Sequence, residues 1–335
     1  MSDPIPTSRG LSRESWRYAG KRSLHGFVRH RGLDSAASLT FFATLALFPA
    51  SLMLVSIFAI ASGGEAAALA RITDILGEVF QPSAVESIEG PLGQLLNIPN
   101  PGIALGIAIV LGIWTVSSYA TAFGRAINAV YEVQEGRQFW KFRGLMIVVA
   151  IVLIVCTAVI AAILLGTPTV SAAIGENLGI PNGWIIAWDI AKWPVLVAIA
   201  IAIVGIIYYY TPNVRHLRLR WVSWGATLAI LAWGAATAGF AAYVLTFETY
   251  NRVYGWLGGA VALLVWLYIS NLVLVLGAEL DAEIVRVRQL ASGIPAETVI
   301  QLPLRDTARN LWIAKQLADD ERTGREIRER ETRDS

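Results

Sequence analysis

Charge is what this sequence has least of. Only 16% of its 335 residues are Asp, Glu, Lys or Arg, against 55% hydrophobic residues, and the mean hydropathy is +0.56. A soluble globular domain carries about 25% charged residues, and a larger core cannot absorb the deficit, because surface must still be covered as a chain grows. Much of the outer surface is therefore expected to face lipid. Cysteine is nearly missing as well. Cys156 stands alone, which excludes an intramolecular disulfide, and within its apolar run it reads as a small buried hydrophobe. The only histidines are His25, His30 and His216. They are too scattered to join Asp and Glu around the two metal ions, about 4 Å apart, that a two-metal nuclease needs. The Gly-x-x-x-x-Gly-Lys-Ser/Thr phosphate loop is absent, which excludes an ATP-driven pump built on it. The polar, basic first 35 residues hold no early apolar core with a cleavage site after it, so no signal peptide is expected.

What the sequence has is long apolar runs. A spanning helix needs about 20 mainly apolar residues, and six stretches qualify: Ala36 to Ala61, Ile103 to Ala122, Leu145 to Gly166, Ile185 to Tyr210, Val222 to Phe247, and Gly255 to Leu280. Their orientation follows from the basic residues between them. The N-terminal segment carries Arg9, Arg13, Arg17, Lys21, Arg22, Arg29 and Arg31. The second connection has Arg125, Arg137, Lys141 and Arg143, and the fourth has Arg215, Arg218 and Arg220. The alternate connections hold only Arg71 in the first and Arg252 in the fifth. The expected fold is all-α, a polytopic membrane protein of six spans with both termini in the cytoplasm. Three parts follow: a cytoplasmic segment 1–35, a transmembrane domain 36–283, and a cytoplasmic tail 284–335. Trp140, Trp184, Trp188, Trp221, Trp224, Trp256 and Tyr208 to Tyr210 lie near span ends, where amphipathic rings anchor.

The first external connection, 62–101, carries helical periodicity twice. Ile72, Ile75, Leu76, Val79 and Phe80 form one apolar set, and Val85, Ile88, Leu92, Leu95 and Leu96 another. Two short amphipathic helices are expected there. The second span continues in pattern to about Glu132, which places Ser118, Arg125, Asn128 and Glu132 on one arc of about 80°. Such a stripe could line a cavity, grip lipid phosphates or lie solvated at the interface. Small residues crowd the fifth span, and Ala235 with Gly239 is spaced for close helix approach, as are Gly255 and Gly259 in the sixth. Phe48-Pro49 is expected to kink the first span. Residues 306–333 alternate Arg with Asp and Glu, which predicts a helix fraying into a mixed-charge tail.

Ionisable groups inside spans attract functional suspicion. None lies at the centre of any span here, which argues against strong ion coupling. Asp34, Arg125, Glu279 and Asp281 fall at the cytoplasmic boundary, and Asn271 is the deepest strongly polar residue of the last helix. The candidate site is a cytoplasmic-side polar or headgroup cluster of Asp34, Ser118, Arg125, Asn128, Asn271 and Glu279. Glu279 and Asp281, two residues apart, point to different helix faces and make a poor acid–base pair.

Four segments resemble the YihY / virulence factor BrkB family of bacterial membrane proteins. They are Ala36-Ala37-Ser38-Leu39-Thr40-Phe41-Phe42 with Leu47-Phe48-Pro49; Trp114-Thr115-Val116-Ser117-Ser118 through Arg125-Ala126-Ile127-Asn128 to Tyr131-Glu132-Val133; Tyr210-Thr211-Pro212-Asn213-Val214; and Tyr254-Gly255-Trp256-Leu257-Gly258-Gly259 with Trp266-Leu267-Tyr268 and Leu276-Gly277-Ala278-Glu279-Leu280. Asp281 departs from the Asn expected there. The resemblance implies six spans with both ends inside a bacterial inner membrane. It also implies links to serum resistance and envelope integrity, and a former ribonuclease BN label that the scattered histidines do not favour. The expected function is transport or flipping of a lipid or other envelope component, with membrane lipids as partners. The alternative is a non-enzymatic scaffold for envelope assembly with an envelope protein partner. No cofactor, metal, catalytic residue or nucleic-acid partner is expected.

Overall fold

The computed structural model describes residues 11–62, 65–79, 85, 89–90, 92–94, 96, 99–165, 181–215, 224–245 and 248–333. These residues are all-α apart from one isolated antiparallel bridge between Val214 and Leu304. The helices are α1 (Arg13–Arg29), α2 (Gly32–Ser62), α3 (Glu65–Val79), α4 (Pro101–Val130), α5 (Phe139–Leu165), α6 (Asn182–Tyr210), α7 (Trp224–Leu245), α8 (Glu248–Leu290) and α9 (Ala308–Arg333). Six of them, α2 and α4 to α8, are long and apolar enough to cross a membrane. Helix is the form such segments must take, because in hydrocarbon every backbone N–H and C=O has to be satisfied within its own segment.

Each of the six helices overlaps its expected stretch, and the differences lie at their ends, the largest at the sixth. Pro101 opens α4, where its missing N–H costs nothing. The helix then runs to Val130, about 45 Å at 1.5 Å per residue, past the end of its apolar run as the pattern predicts. Pro49 lies inside a continuous α2, close to Gly112 of α4. The core between α2, α4, α5, α6 and α8 is built on Leu39, Phe123, Ile127, Met146, Ile207 and Val275. Large apolar residues on the other faces, such as Val110, Ile186 and Leu231, are exposed, as lipid-facing positions would be.

Three expectations change. The sixth span runs on to Leu290, so the boundary drawn at 283 falls inside a helix, and Glu283 itself is buried. Residues 294–306 are not a loose tail, because Ala296 and Ile300 are buried and Arg215 N donates to Pro303 O at 2.8 Å. Close helix approach also occurs at different small residues. Gly225 and Gly277 bring α7 against α8, where a Cβ on Gly277 would lie 2.5 Å from that of Ala229. Ala235, Gly239 and Gly259 are instead exposed, and the side chain environment of residue 255 lies outside the described residues.

Of the two amphipathic helices expected in 62–101, the first is α3. Its Ala68 and Ile72 pack with Val55, Leu92 and Leu96. Of the second set, Ile88 and Leu95 fall outside the described residues. The N-terminal segment holds a helix that was not foreseen. In α1, Ser12 caps the N-terminus by accepting from Ser15 N at 3.1 Å, and Glu14 sits in the first turn, both favourable at that end.

Candidate functional site

The polar residues of the bundle gather in three places, two of them on α8. The deepest is Asn271, which is 3% exposed. Its amide nitrogen donates to the Thr40 hydroxyl of α2 at 3.2 Å, and its carbonyl oxygen accepts from Tyr119 of α4 at 2.8 Å. Thr40 in turn donates to Ala36 O at 2.8 Å. Asn271 therefore joins three apolar helices at about 20 Å along α8 from Gly258, well inside the apolar stretch. Below it, the Tyr208 hydroxyl donates to the Leu274 carbonyl, and the Asp281 carboxylate accepts from Gly225 N at 2.8 Å.

Eight residues beyond Asn271, about 12 Å along the helix, lies Glu279, wholly buried. It begins a stripe of Glu279, Glu283, Arg286 and Gln289 on one face of α8, and all four are at most 1% exposed. Their cover is α1. Ala19, Ser23 and Gly26 are buried at spacings of four and three, so α1 lays a face of small residues along the charged stripe. The fit at Gly26 is close, since a Cβ there would stand 2.7 Å from Glu279 Oε2. Arg31, in the left-handed region at φ 54°, turns the chain from α1 into α2. Gly32 follows with the Phe27 ring where a Cβ would go.

Around the stripe the charges pair unevenly. Arg29 lies 2.6 Å and Arg286 3.5 Å from Glu132. Glu283 lies 3.0 Å from Arg22 and 3.1 Å from Arg286, whose Nη1 also donates to Ala296 O at 2.7 Å. Glu279 has no guanidinium partner among the described residues. Its Oε1 is 2.8 Å from His30 Nδ1, while its Oε2 is buried with no hydrogen-bond partner there. His30 Nε2 accepts from Arg29 Nε at 3.3 Å. The Nδ1 proton of neutral His30 is thereby assigned to the side facing Glu279.

The third place is a backbone hub at the Tyr210-Thr211-Pro212-Asn213-Val214 turn. Asn213 is wholly buried. Its Nδ2 donates to Gln134 O at 3.0 Å and Asp306 O at 2.9 Å, and its Oδ1 accepts from Asp306 N at 3.2 Å. Asn128 joins it, accepting from Asn213 N at 2.8 Å and donating to Glu135 at 3.0 Å. Glu135 holds Arg137 in a fork at 2.6 and 2.7 Å. Arg305 donates to Val214 O and Tyr209 O and lies over the Tyr209 ring, where burial holds its guanidinium below the ordinary value.

Of the six residues expected to cluster, Asn128, Asn271 and Glu279 are buried in these three places. Arg125 and Asp34 are exposed and make no ion pair with Glu279 among the described residues, and Ser118 bonds back to Trp114 O. The expected stripe on α4 is split as well. Asn128 turns inward and Arg125 outward, and Glu132, at φ 56°, lies beyond the helix end. The charged stripe of Glu283, Arg286 and Gln289, with Arg22 and His30 facing it, was not foreseen. Its helical spacing was readable, but a polar face past a span end reads as solvated until a covering helix is known. No group of three or more His, Cys, Asp or Glu side chains is arranged to hold a metal among the described residues.

Comparison with known proteins gives a consistent neighbourhood. A family model described as virulence factor BrkB matches residues 23–298. The ribonuclease-like protein YfkH of Bacillus subtilis is 28% identical over 276 residues, covering 80% of this chain and 96% of that protein. A UPF0761 membrane protein of Aliivibrio salmonicida is 24% identical, covering 77% of this chain and 80% of its own length. One from Xanthomonas campestris is also 24% identical, covering 76% of this chain and 57% of its own. No solved structure matches the chain.

Proposed function

The chain belongs to the virulence factor BrkB family and is a multi-pass membrane protein, and from that premise we propose that it carries a lipid or another envelope component across the membrane without enzymatic chemistry. One observation carries the reading: Asn271, buried at span depth, joins α2, α4 and α8 through Thr40 and Tyr119. Polar groups inside a bundle bathed in lipid are costly and tend to mark a transport pathway. A bundle that served only as an anchor would gain as much from apolar packing there.

In this proposal the end of the bundle at which α1 lies faces the cytoplasm of a bacterial inner membrane. The concentration of Lys and Arg in the N-terminal segment and in the second and fourth connections supports that orientation. Exposed Arg125 and Lys141, the latter with 68% of its side chain in the open, would attract anionic headgroups at that surface. Arg143, stacked 4.5 Å over Trp114, would do so at the span edge. The ribonuclease wording belongs to YfkH and is not carried over. Here Glu132, Glu279 and Glu283 are engaged with His30 and arginines.

Native mass spectrometry of the detergent-purified protein tests the lipid reading. An anionic lipid retained by wild type and lost in Arg125→Ala is the expected result, and no selective lipid in either protein would contradict it. A second reading, a scaffold for envelope assembly, rests on α9, a mixed-charge helix of 26 residues with none buried. Its test is removal of residues 308–333. A cut at 300 would also strip Ile300, Gln301 and Arg305 from the bundle.

A further inference from the structure

We propose that Glu279 is a proton-binding site, taking up and releasing one proton at Oε2, and, on the carrier reading above, that this proton is the ion coupled to transport. No charged residue lies at the centre of a span, which had argued against ion coupling. The structure supplies a buried carboxyl off-centre in α8, toward its Leu290 end, where α1 closes over it.

Seven groups that can carry charge face one another there. From α1 and its end come Arg22, Arg29 and His30; from the end of α4 comes Glu132; and α8 gives Glu279, Glu283 and Arg286. The nearest acid of α2, Asp34, is exposed and makes no ion pair with them among the described residues. With His30 neutral, three carboxylates and three guanidiniums sum to zero. An added proton makes the cluster +1, and the pairings decide where it goes. Guanidiniums keep their charge in proteins. Glu132 and Glu283 each have two guanidiniums close by. His30 Nε2 accepts from Arg29 Nε at 3.3 Å and lies 3.6 Å from Glu132 Oε1. Among the described residues, Glu279 alone of the seven has a buried oxygen with no hydrogen-bond partner, and no guanidinium stands within ion-pair distance of it. The step is a simple exchange. Hydronium gives its proton to Oε2, an O–H bond forms there, water leaves, and His30 Nδ1–H stays on Oε1.

His30 is 11% and Glu132 22% exposed in their side chains, so the rim of the cluster meets solvent, while Glu279, packed against Gly26, is wholly buried. Protonation removes the charge that draws His30 to Glu279. It thereby loosens the clamp between α8 and the corner where α1 meets α2, two elements that also carry the Thr40–Asn271 contact.

Infrared difference spectroscopy of the full-length protein in nanodiscs, titrated from about pH 9 to about pH 5, a range that spans the shifts burial gives a carboxyl, reads the site directly. A protonated-carboxyl band that grows on acidification in wild type and is missing in Glu279→Gln is the expected result. The absence of such a band, or the same band in both proteins, overturns the proposal. Should Glu279→Gln fail to fold, His30→Phe decides. Loss of the Nδ1–H donor must raise the midpoint of the wild-type band, and an unmoved midpoint refutes the assignment. The band is read with no transported lipid present. A missing band therefore sinks the proton site alone, whereas failure of lipid movement in vesicles would sink only the transport reading.

Discussion

Asn213→Ala is the change that should cost this fold most for its size. The side chain is wholly buried and makes three hydrogen bonds to backbone, with Gln134 O at 3.0 Å, Asp306 O at 2.9 Å and Asp306 N at 3.2 Å. Truncation leaves all three backbone groups without that partner. The partner groups are only partly buried, so each lost bond costs about 0.5–1.5 kcal/mol, and the lower bound for three is about 1.5 kcal/mol. At about 2–4 °C per kcal/mol for a chain of this size, the midpoint of thermal unfolding in detergent should fall by about 3 °C or more. The loss has a place as well as a size. Residues 294–306 are tied to the bundle through this turn, so limited trypsin should release α9 together with that segment faster than from wild type. Asn213→Asp separates hydrogen bonding from packing. It keeps the acceptor for Asp306 N but sets a carboxylate oxygen against two carbonyls, so it should be no more stable than the alanine variant. A fall of less than about 2 °C in Asn213→Ala, below about 1 kcal/mol on the same scale, would refute the hub.

Other consequences follow from the same contacts. Glu283→Gln strips wholly buried Arg286 of its nearest carboxylate and should destabilise by about 3–5 kcal/mol. The double variant Glu283→Gln/Arg286→Met should recover part of that loss in the same melting assay, and strict additivity would contradict the pairing. Gly277→Ala drives a Cβ to 2.5 Å from that of Ala229 and 2.8 Å from the Tyr208 hydroxyl, which should cost about 1–3 kcal/mol. Gly234→Ala meets nothing within 4 Å and should melt with wild type; equal effects of the two would contradict the α7–α8 packing. For orientation, single cysteines are placed at exposed Gly90 and Ser292 in a Cys156→Ser background. In intact cells an impermeant maleimide should label the first and spare the second, and the reverse pattern would invert the topology.

Much of the architecture was legible because the bilayer simplifies the code. An apolar run of 20 or so residues has few fates besides a span, and the presence and order of α2 and α4 to α8 follow from that alone, though not their full lengths. The site was legible only in part. Asn128, Asn271 and Glu279 stood out as polar residues in costly positions and are buried. Arg125 stood out for the same reason and is exposed, because one-dimensional reading places a residue on a helix without saying which face meets a neighbour. The charged stripe of α8 was missed for the converse reason: Glu283 and Arg286 follow the apolar run, where charge is ordinarily solvated. The missing clue lay more than 250 residues earlier, in the small face of Ala19, Ser23 and Gly26. Small residues attracted notice in α7, where apolar surroundings suggest close packing. In polar α1 the same pattern gave no sign of a partner.

If the bundle carries a lipid as proposed, Asn271 lies on its route. Two interhelical hydrogen bonds at about 0.6 kcal/mol each make Asn271→Leu a minor change in stability, so a loss of transport in that variant would not be a loss of fold. The direct measurement is movement of a fluorescent, headgroup-intact anionic lipid between leaflets of vesicles, with wild type, Asn271→Leu and no protein compared side by side. Wild type should exchange the lipid several-fold faster than empty vesicles, with Asn271→Leu falling back toward them while its melting curve stays close to wild type. Wild-type vesicles no faster than empty ones, or a variant as fast as wild type, would contradict the account.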